Sequence, residues 1–303
     1  MRRRAFLSGG LGIAAWAAAW RPAAAQAHAA PRTAAGIRFG YAAITWGGND
    51  RRAIADIASL GFRGIQLRAS AVAEWGNTPA DLKALLADRG LTLVALSSGT
   101  VLLDPAAERE NLAQHVRHAR FVRDVGGLYL QVVDERPRGR DPTPDDYRRM
   151  GGLLTELGRR TADLGIPLGY HNHMGNLGQA PDEVARVLDA ADPEFVKLEL
   201  DTAHYQQAGG DPAEAVGRHA DRLLFLHIKD LESPIPGGSP DSYQFVELGR
   251  GTVNFRSVFA ALDRAGFDGW AVVELDRVPD PARTPKESGT IAKRYLEELG
   301  YTI

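Results

Sequence analysis

Two histidines stand one residue apart in the stretch GIPLGYHNHMGN, at His171 and His173. The chain of 303 residues contains eight histidines in all, so this stretch concentrates side chains that can bind a metal, transfer a proton or close a strand as ordinary polar residues. Three later stretches, LELDTAH, LHIKD and VVELD, supply carboxylates, a lysine and more histidines. Which chemistry these groups perform depends on the elements that position them.

Apolar runs of strand length alternate with helical patterns along most of the chain. The strand candidates are IRFGYAAITW, GIQLR, LTLVALSS, LYLQVVDE, IPLGYHNH, VKLELDTAH, LLFLHIKD and WAVVELD. Helical patterns such as TPADLKALLADRG and VNFRSVFAALDRAGF follow several of them. Eight strands that each precede a helix are typical of a closed barrel, and no G-x-G-x-x-G turn of an open doubly wound sheet follows the first strand. The sequence therefore predicts an α/β protein with a single (β/α)8 TIM barrel over residues 28–303.

Polar side chains collect at the ends of the last four strand candidates. Side chains alternate between the two faces of a strand, and the active sites of barrels lie at the carboxyl ends of the strands. One face of these strands carries, in chain order, His171 and His173, Glu199 and Asp201, His227 and Lys229, and Glu274 and Asp276. Buried groups of this kind need a partner, and a divalent cation (Mn²⁺, Co²⁺, Zn²⁺, Fe²⁺ or Mg²⁺) is one that imidazole and carboxylate ligands suit. The alternative is an ion-pair network built on Lys197, Lys229 and Arg250.

Several linked motifs, YHNHMGN, LDTAHYQQAGGDP, LHIKD, LGRGTVNF and VVELD, occur in this order. Together they resemble the xylose-isomerase-like TIM-barrel superfamily of sugar isomerases, epimerases and endonuclease IV. Within it they are most similar to the sugar phosphate isomerase/epimerase family and its relative inosose dehydratase. The resemblance implies one divalent metal held by a residue from each of strands five to eight, here His171, Asp201, His227 and Glu274. Many relatives have Glu at the position of His171.

The resemblance also implies a reaction. A divalent cation bound to a hydroxy-ketone stabilises the enediolate that forms when the neighbouring C–H is deprotonated, and a neutral histidine is a suitable base. We expect His173 or His204 to be that base and Lys229 to hold the developing oxyanion. The expected substrate is a keto-sugar or keto-cyclitol, which is isomerised, epimerised or dehydrated. Asp230, next to Lys229, matches a position that contacts substrate oxygens in relatives.

One residue departs from the pattern of the sugar epimerases. Gln66 stands in GIQLR where many of them have a glutamate that works as one of two acid/base carboxylates. Glutamine cannot accept and return a proton at neutral pH, so Glu247 or His173 is expected to take that role instead. A mechanism with two carboxylates is therefore not expected here.

Two other functions compete with this one. DTAH resembles an element of endonuclease IV, a metal hydrolase, but the loop from Leu231 to Val246 offers no histidine for a cluster of metals. A non-catalytic periplasmic sugar-binding barrel is the other alternative, which Gln66 favours. Within the loop, the Pro/Gly/Ser-rich run from Ser233 to Ser242 lies where a lid or substrate loop of a barrel would be.

Residues 1–27 have the features of an export signal. Three arginines at positions 2–4 precede an apolar run over residues 11–20, and the small residues at 23–27 fit an A-x-A cleavage pattern. RRRAFLSGG resembles a twin-arginine signal, which predicts passage through the Tat translocon and a periplasmic location.

Composition narrows the range of partners. The chain has no cysteine and therefore no disulfide or lipid-modified cysteine, and its net charge of −2 gives no reason to expect nucleic acid or a membrane as a partner after export. The expected partner is a small sugar or cyclitol, and the sequence leaves a homo-oligomer open.

Overall fold

A closed barrel of parallel strands dominates the computed structural model, which describes residues 36–303; the predicted export signal lies outside them. The strands are β1 (Ile37–Ala42), β2 (Gly64–Arg68), β3 (Thr92–Val101), β4 (Tyr129–Asp134), β5 (Leu168–His171), β6 (Val196–Asp201), β7 (Leu223–Ile228), β8 (Asp230–Glu232), β9 (Gln244–Val246) and β10 (Gly269–Val273). The first seven and β10 close the barrel, and β8 and β9 form a separate antiparallel hairpin. The predicted (β/α)8 fold is confirmed, with β10 as its eighth strand.

Helices surround the barrel and follow its strands. They are α1 (Asp50–Leu60), α2 (Ser70–Trp75), α3 (Pro79–Asp88), α4 (Glu108–Val125), α5 (Pro144–Ala162), α6 (Pro181–Ala190), α7 (Thr202–Gln207), α8 (Pro212–Arg218), α9 (Phe255–Arg264) and α10 (Pro285–Glu298), with short 3-10 turns at Ala43–Trp46 and Ala220–Arg222. The helical patterns predicted from the sequence fall on α3 and α9. No helix among the described residues is both long and apolar enough to cross a membrane.

The interior of the barrel has its own small apolar core. Its buried members are Ala42, Val94, Ala95, Phe225, Trp270 and Val272. The larger core lies between the strands and the helices, where apolar helix faces pack on the outside of the barrel. On β7, Phe225 has the same parity as His227, so the polar layer begins directly above this internal plug. The plug confines the polar groups to the carboxyl end of the barrel.

Two strands end earlier than the sequence predicts. β5 stops at His171, so His173 lies in the loop that follows, and β6 stops at Asp201, so His204 lies on α7. At β5 the side chain of Asn172 takes over the pairing with β6, because its amide donates to the carbonyl of Asp201 at 3.2 Å and accepts from the N–H of Asp201 at 2.9 Å. At β6 the carboxylate of Asp201 accepts from the N–H of His204 at 2.8 Å, which caps α7 and starts the helix.

The hairpin of β8 and β9 flanks the run that was predicted to be a lid or substrate loop. Its base is held by Asp230, whose carboxylate accepts hydrogen bonds of 3.0, 3.0 and 3.1 Å from the backbone N–H groups of Gly249, Gly251 and Val253. Asp230 is fully buried. The expectation that Asp230 contacts substrate is therefore wrong, because backbone donors of the following loop occupy its carboxylate.

The apolar core inside the barrel predicts opposite effects on stability for alanine at two glycines. A Cβ on Gly64 of β2 would lie 2.5 Å from the ring of Trp270 and 2.6 Å from a methyl of Val94. Gly64→Ala is expected to lower the free energy of unfolding by about 1–3 kcal/mol through overpacking. Gly152→Ala on α5, where nothing lies within 4 Å, should instead raise it by about 0.5–1 kcal/mol. Urea denaturation of both variants measures the difference, and equal losses in the two would contradict this account of the barrel interior.

Candidate metal centre and active site

The predicted metal ligands converge at the carboxyl end of the barrel. His171 closes β5, Asp201 closes β6, His227 lies on β7 and Glu274 directly follows β10. Ligand atoms of His171, Asp201 and His227 all lie within 4.8 Å of one another. Oε2 of Glu274 lies 2.6 Å from Nδ1 of His227. The structure thus brings together all four side chains, and each of them is buried.

Several atoms of this cluster are buried without a hydrogen-bond partner among the described residues. They are Nδ1 of His171, Oδ2 of Asp201, Nδ1 of His227 and both carboxylate oxygens of Glu199. Nδ1 of His227 is close to Glu274, but the contact lacks hydrogen-bond geometry and is an ionic one. Leaving a buried polar atom unsatisfied costs about 1–3 kcal/mol, and more for a charged group. The donor set and its orphaned atoms fit a divalent cation, which His171, Asp201, His227 and Glu274 would hold.

Glu199 was not among the predicted site residues, although it lies at the centre of the cluster. It is fully buried on β6, with Oε1 2.6 Å from Nε2 of His227 and Oε2 3.9 Å from Nδ1 of His171. Burial raises the pKa of Glu199 to about 7, although the neighbouring His227 opposes the shift. Its parity with Asp201 is the sequence signal that could have identified it.

His227 is surrounded by oxygen atoms on both sides of its ring. Nε2 lies 2.7 Å from Oε1 of Gln66 as well as close to Glu199, and Nδ1 faces Glu274. Burial alone would lower the pKa of His227, but the charges of Glu199 and Glu274 outweigh it and hold the pKa well above its usual value. A role as metal ligand therefore requires His227 to lose a proton first. Gln66, the residue that departs from the epimerase pattern, contacts this ring directly.

The predicted bases lie in a second group of histidines at the rim. Ligand atoms of His171, His173 and His204 are also within 4.8 Å of one another, and the rings of His173 and His204 have centroids 3.8 Å apart. Nδ1 of His173 donates to the carbonyl of Met174 at 2.7 Å, a tautomer assigned from this contact. In the neutral ring Nε2 is then the free acceptor. Burial, together with the charge of Lys229, lowers the pKa of His204 well below its usual value.

Lys229 is fully buried, and its charge is held by carboxylates. Its ammonium group donates to Asp276 at 2.6 Å and to Glu274 at 3.2 Å, and it lies 3.3 Å from Nε2 of His204. Burial alone would lower the pKa of Lys229, but Glu274 and Asp201 raise it above its usual value. The side chain is thus a fixed cation, suited to hold an oxyanion and unsuited to accept a proton.

Glu247 is the one predicted catalytic residue that the structure does not bring to the others. Its carboxylate accepts hydrogen bonds from Arg283 at 2.6 Å and from Ser288 at 2.9 Å. It is buried below the segment that leads into α10 and does not line the cavity at the end of the barrel. The sequence shows that Glu247 is a carboxylate, but it does not show that Arg283 already pairs with that carboxylate, because Arg283 is distant in the chain.

A cavity of about 360 Å³ opens above the cluster. Its charged side is formed by His171, His173, His227, Glu274 and Asp276. Its other side, from β2, β3 and β4, carries neutral polar groups and one arginine: Gln66, Arg68, Ser97, Thr100 and Gln131. The size is within the range of small-molecule sites, at its lower end. The arrangement is suited to a small polar ligand with several hydroxyl groups.

Two curated relatives match most of the chain. Inosose dehydratase of Lacticaseibacillus casei is 27% identical over 298 residues, covering 86% of this chain and 96% of the relative. Inosose dehydratase of Bacillus licheniformis is 28% identical over 295 residues, covering 86% of this chain and 95% of the relative.

Solved structures share the fold. A crystal structure of the IOLI protein with a bound zinc atom has a TM-score of 0.72 at 17% identity, and the match covers 88% of this chain and 100% of that one. D-allulose 3-epimerase from Methylomonas sp. has a TM-score of 0.68 at 21% identity, with 87% and 98% covered. Residues 54–295 match the family described as xylose isomerase-like TIM barrel. This chain therefore belongs to the xylose isomerase-like TIM barrel family.

Proposed function

We propose that this protein is a divalent-metal-dependent enzyme that isomerises, epimerises or dehydrates a keto-sugar or keto-cyclitol. The observation that carries the proposal is the convergence of His171, Asp201, His227 and Glu274 below a polar cavity. The inosose dehydratase relatives support a keto-cyclitol or similar substrate, and the zinc atom of a structural neighbour supports a metal.

Separate residues of the protein are proposed to transfer the proton and to stabilise the charge of the intermediate. When bound, a divalent cation supplies Lewis-acid polarisation of the substrate carbonyl. His173 lines the cavity and has Nε2 free, so it is the proposed base that removes the proton from the carbon next to the carbonyl. Lys229 lies behind Asp276 and Glu274, which line the cavity, and its positive charge would stabilise the negative charge of the enediolate from there. His204 lies on the other side of Lys229, with Nε2 3.3 Å from the ammonium group.

The fate of the enediolate decides the reaction. Reprotonation on the opposite face gives epimerisation, proton transfer to the neighbouring carbon gives isomerisation, and expulsion of a β-hydroxyl gives dehydration. Each outcome begins with the same loss of a proton to His173. The first step therefore provides a test that is independent of the final product.

We also propose that the protein is exported through the Tat translocon and acts in the periplasm, as the arginines at positions 2–4 and the apolar run after them suggest. Expressed in a host with this pathway, the protein is expected in the periplasmic fraction with an N-terminus near residue 27, as N-terminal sequencing would show. Replacement of the arginines at positions 2 and 3 by lysine should retain it in the cytoplasm. Equal export of the two forms would contradict the assignment.

The proposed ligands predict which substitutions weaken metal binding. His171→Ala and Asp201→Asn are each expected to weaken the binding of Zn²⁺ or Mn²⁺ about tenfold or more, since each removes a donor atom from the cluster. His219→Ala is a matched control, because His219 is buried outside the cavity. Metal content by mass spectrometry and affinity by calorimetry give the comparison. Unchanged occupancy in both ligand variants would refute the assignment.

The proposed base predicts a specific loss of proton exchange. With metal-loaded protein in D₂O, deuterium should replace the hydrogen on the carbon next to the carbonyl of scyllo-inosose, D-fructose or D-allulose. NMR measures the rate of this exchange. His173→Gln should slow this exchange about 10²–10⁴-fold, the usual contribution of a general base, and should leave metal content unchanged. Absence of exchange with every ketone at full metal occupancy would instead favour the non-catalytic binding barrel.

A further inference from the structure

A second cavity, of about 630 Å³, lies beside the first one. Tyr243, Gln244 and Phe245 line it from the hairpin, and Asp276 and Arg277 line it from the segment after β10. Asp276 borders both cavities, and its carboxylate accepts the hydrogen bond of 2.6 Å from the ammonium group of Lys229. A ligand that passes Asp276 would therefore lie partly in each cavity.

Phe245 joins the second cavity to the proposed catalytic groups. Its ring lies edge-on to His204 with centroids 5.0 Å apart, and the ammonium group of Lys229 is 4.0 Å from its centroid. Tyr243 packs edge-on against Phe245 at 5.6 Å. The two aromatic rings thus form a continuous surface from the catalytic lysine to the outside of the barrel.

Tyr243 carries an exposed aromatic ring. Its side chain is 36% exposed, and no other large hydrophobic side chain of residues 36–303 is as exposed. Around it, Gln244, Asp276 and Arg277 provide hydrogen-bonding groups: Gln244 is oriented by its hydrogen bond of 2.8 Å to Glu232, and Arg277 is exposed. An aromatic face with polar groups at its edge is complementary to a sugar ring, which presents C–H groups on one face and hydroxyls at its rim.

Other occupants fit less well. A phosphate group would lie next to the carboxylate of Asp276, and a purely apolar group would make no use of the hydrogen-bonding groups of Gln244 and Arg277. The first cavity, at about 360 Å³, is at the lower end of the range for small-molecule sites, so any larger substrate must extend beyond it. The second cavity is the adjoining space on the far side of Asp276.

We propose that the second cavity binds a sugar ring linked to the reacting one, so that the substrate is a keto-glycoside and not a free monosaccharide. This inference rests on the proposed function, because it requires the keto ring to lie in the first cavity. Tyr243 stacks on the second ring, and Gln244 and Arg277 bind its hydroxyls. Specificity for the glycoside resides in the hairpin and in Arg277, apart from the groups that transfer the proton.

The test compares ketose disaccharides with a free ketose. Calorimetry with the metal-loaded full-length mature protein measures the affinity for lactulose, isomaltulose and 3-ketosucrose against D-fructose. At least one disaccharide should bind more tightly than fructose. Tyr243→Ala should weaken that binding about fivefold or more, Tyr243→Phe should retain it because the ring is kept, and neither change should alter the affinity for fructose. Thermal unfolding of both variants confirms that the fold is intact.

Two results overturn the inference: no disaccharide binds more tightly than fructose, or Tyr243→Ala weakens fructose and disaccharide equally. Failure of the proposed function is distinguishable from either. If disaccharides bind in a manner that depends on Tyr243 but no deuterium enters any ketone, the second-ring site stands and the catalytic proposal falls. If deuterium enters fructose and disaccharides at rates that Tyr243→Ala leaves unchanged, the catalytic proposal stands and the second-ring site falls.

Discussion

Burial of three carboxylates at one end of the barrel is the constraint on which the rest of the site depends. Glu199, Asp201 and Glu274 lie in contact with one ring, that of His227, and Glu274 also contacts the ammonium group of Lys229. Burial nevertheless raises the pKa of Glu199 to about 7, so these two positive groups do not fully compensate the carboxylates. Removing one partner from a buried charge cluster is costly, whereas an added cation stabilises it. Under the proposed function, a divalent metal would supply the positive charge that these buried carboxylates lack.

A frame of hydrogen bonds holds the cluster in place where the strands end. The hydroxyl of Thr202 accepts from the N–H of Lys229 at 3.0 Å and donates to its carbonyl at 2.7 Å, which fixes the end of β7 against the start of α7. On the opposite wall, the hydroxyl of Ser98 joins His115 and His118 at 2.6 and 2.8 Å, and His115 donates to the carbonyl of Thr100 at 3.1 Å. This network lies at the register shift of β3 that turns Thr100 into the cavity.

The sequence predicts the barrel and the polar face of its last four strands because both depend on local periodicity, whereas the choice of four ligands on that face came from the family resemblance. Parity along each strand is a property of neighbouring residues, and it places His171, Asp201 and His227 on one face whatever the exact strand ends are. The predicted end of β5 was wrong because, after His171, the side chain of Asn172 and not the backbone pairs with β6. Glu247 was misplaced for a related reason: its partner Arg283 is distant in the chain, and a carboxylate shows no sign in the sequence of being already paired.

The two walls of the cavity bear on which reaction this site performs. The titratable groups that line it, His171, His173, His227, Glu274 and Asp276, come from β5, β7 and β10 and the segments that follow them. The facing wall has Gln66, Ser97, Thr100 and Gln131, none of which exchanges a proton at neutral pH, and Arg68, which stays charged. Inversion of a carbon centre requires proton transfer on both faces of the substrate. Isomerisation and loss of a β-hydroxyl on the same face require it on one face only. Gln66 stands where the second base of an epimerase would be needed, so within the proposed function this wall supports isomerisation or dehydration and gives no group for the second proton transfer of epimerisation.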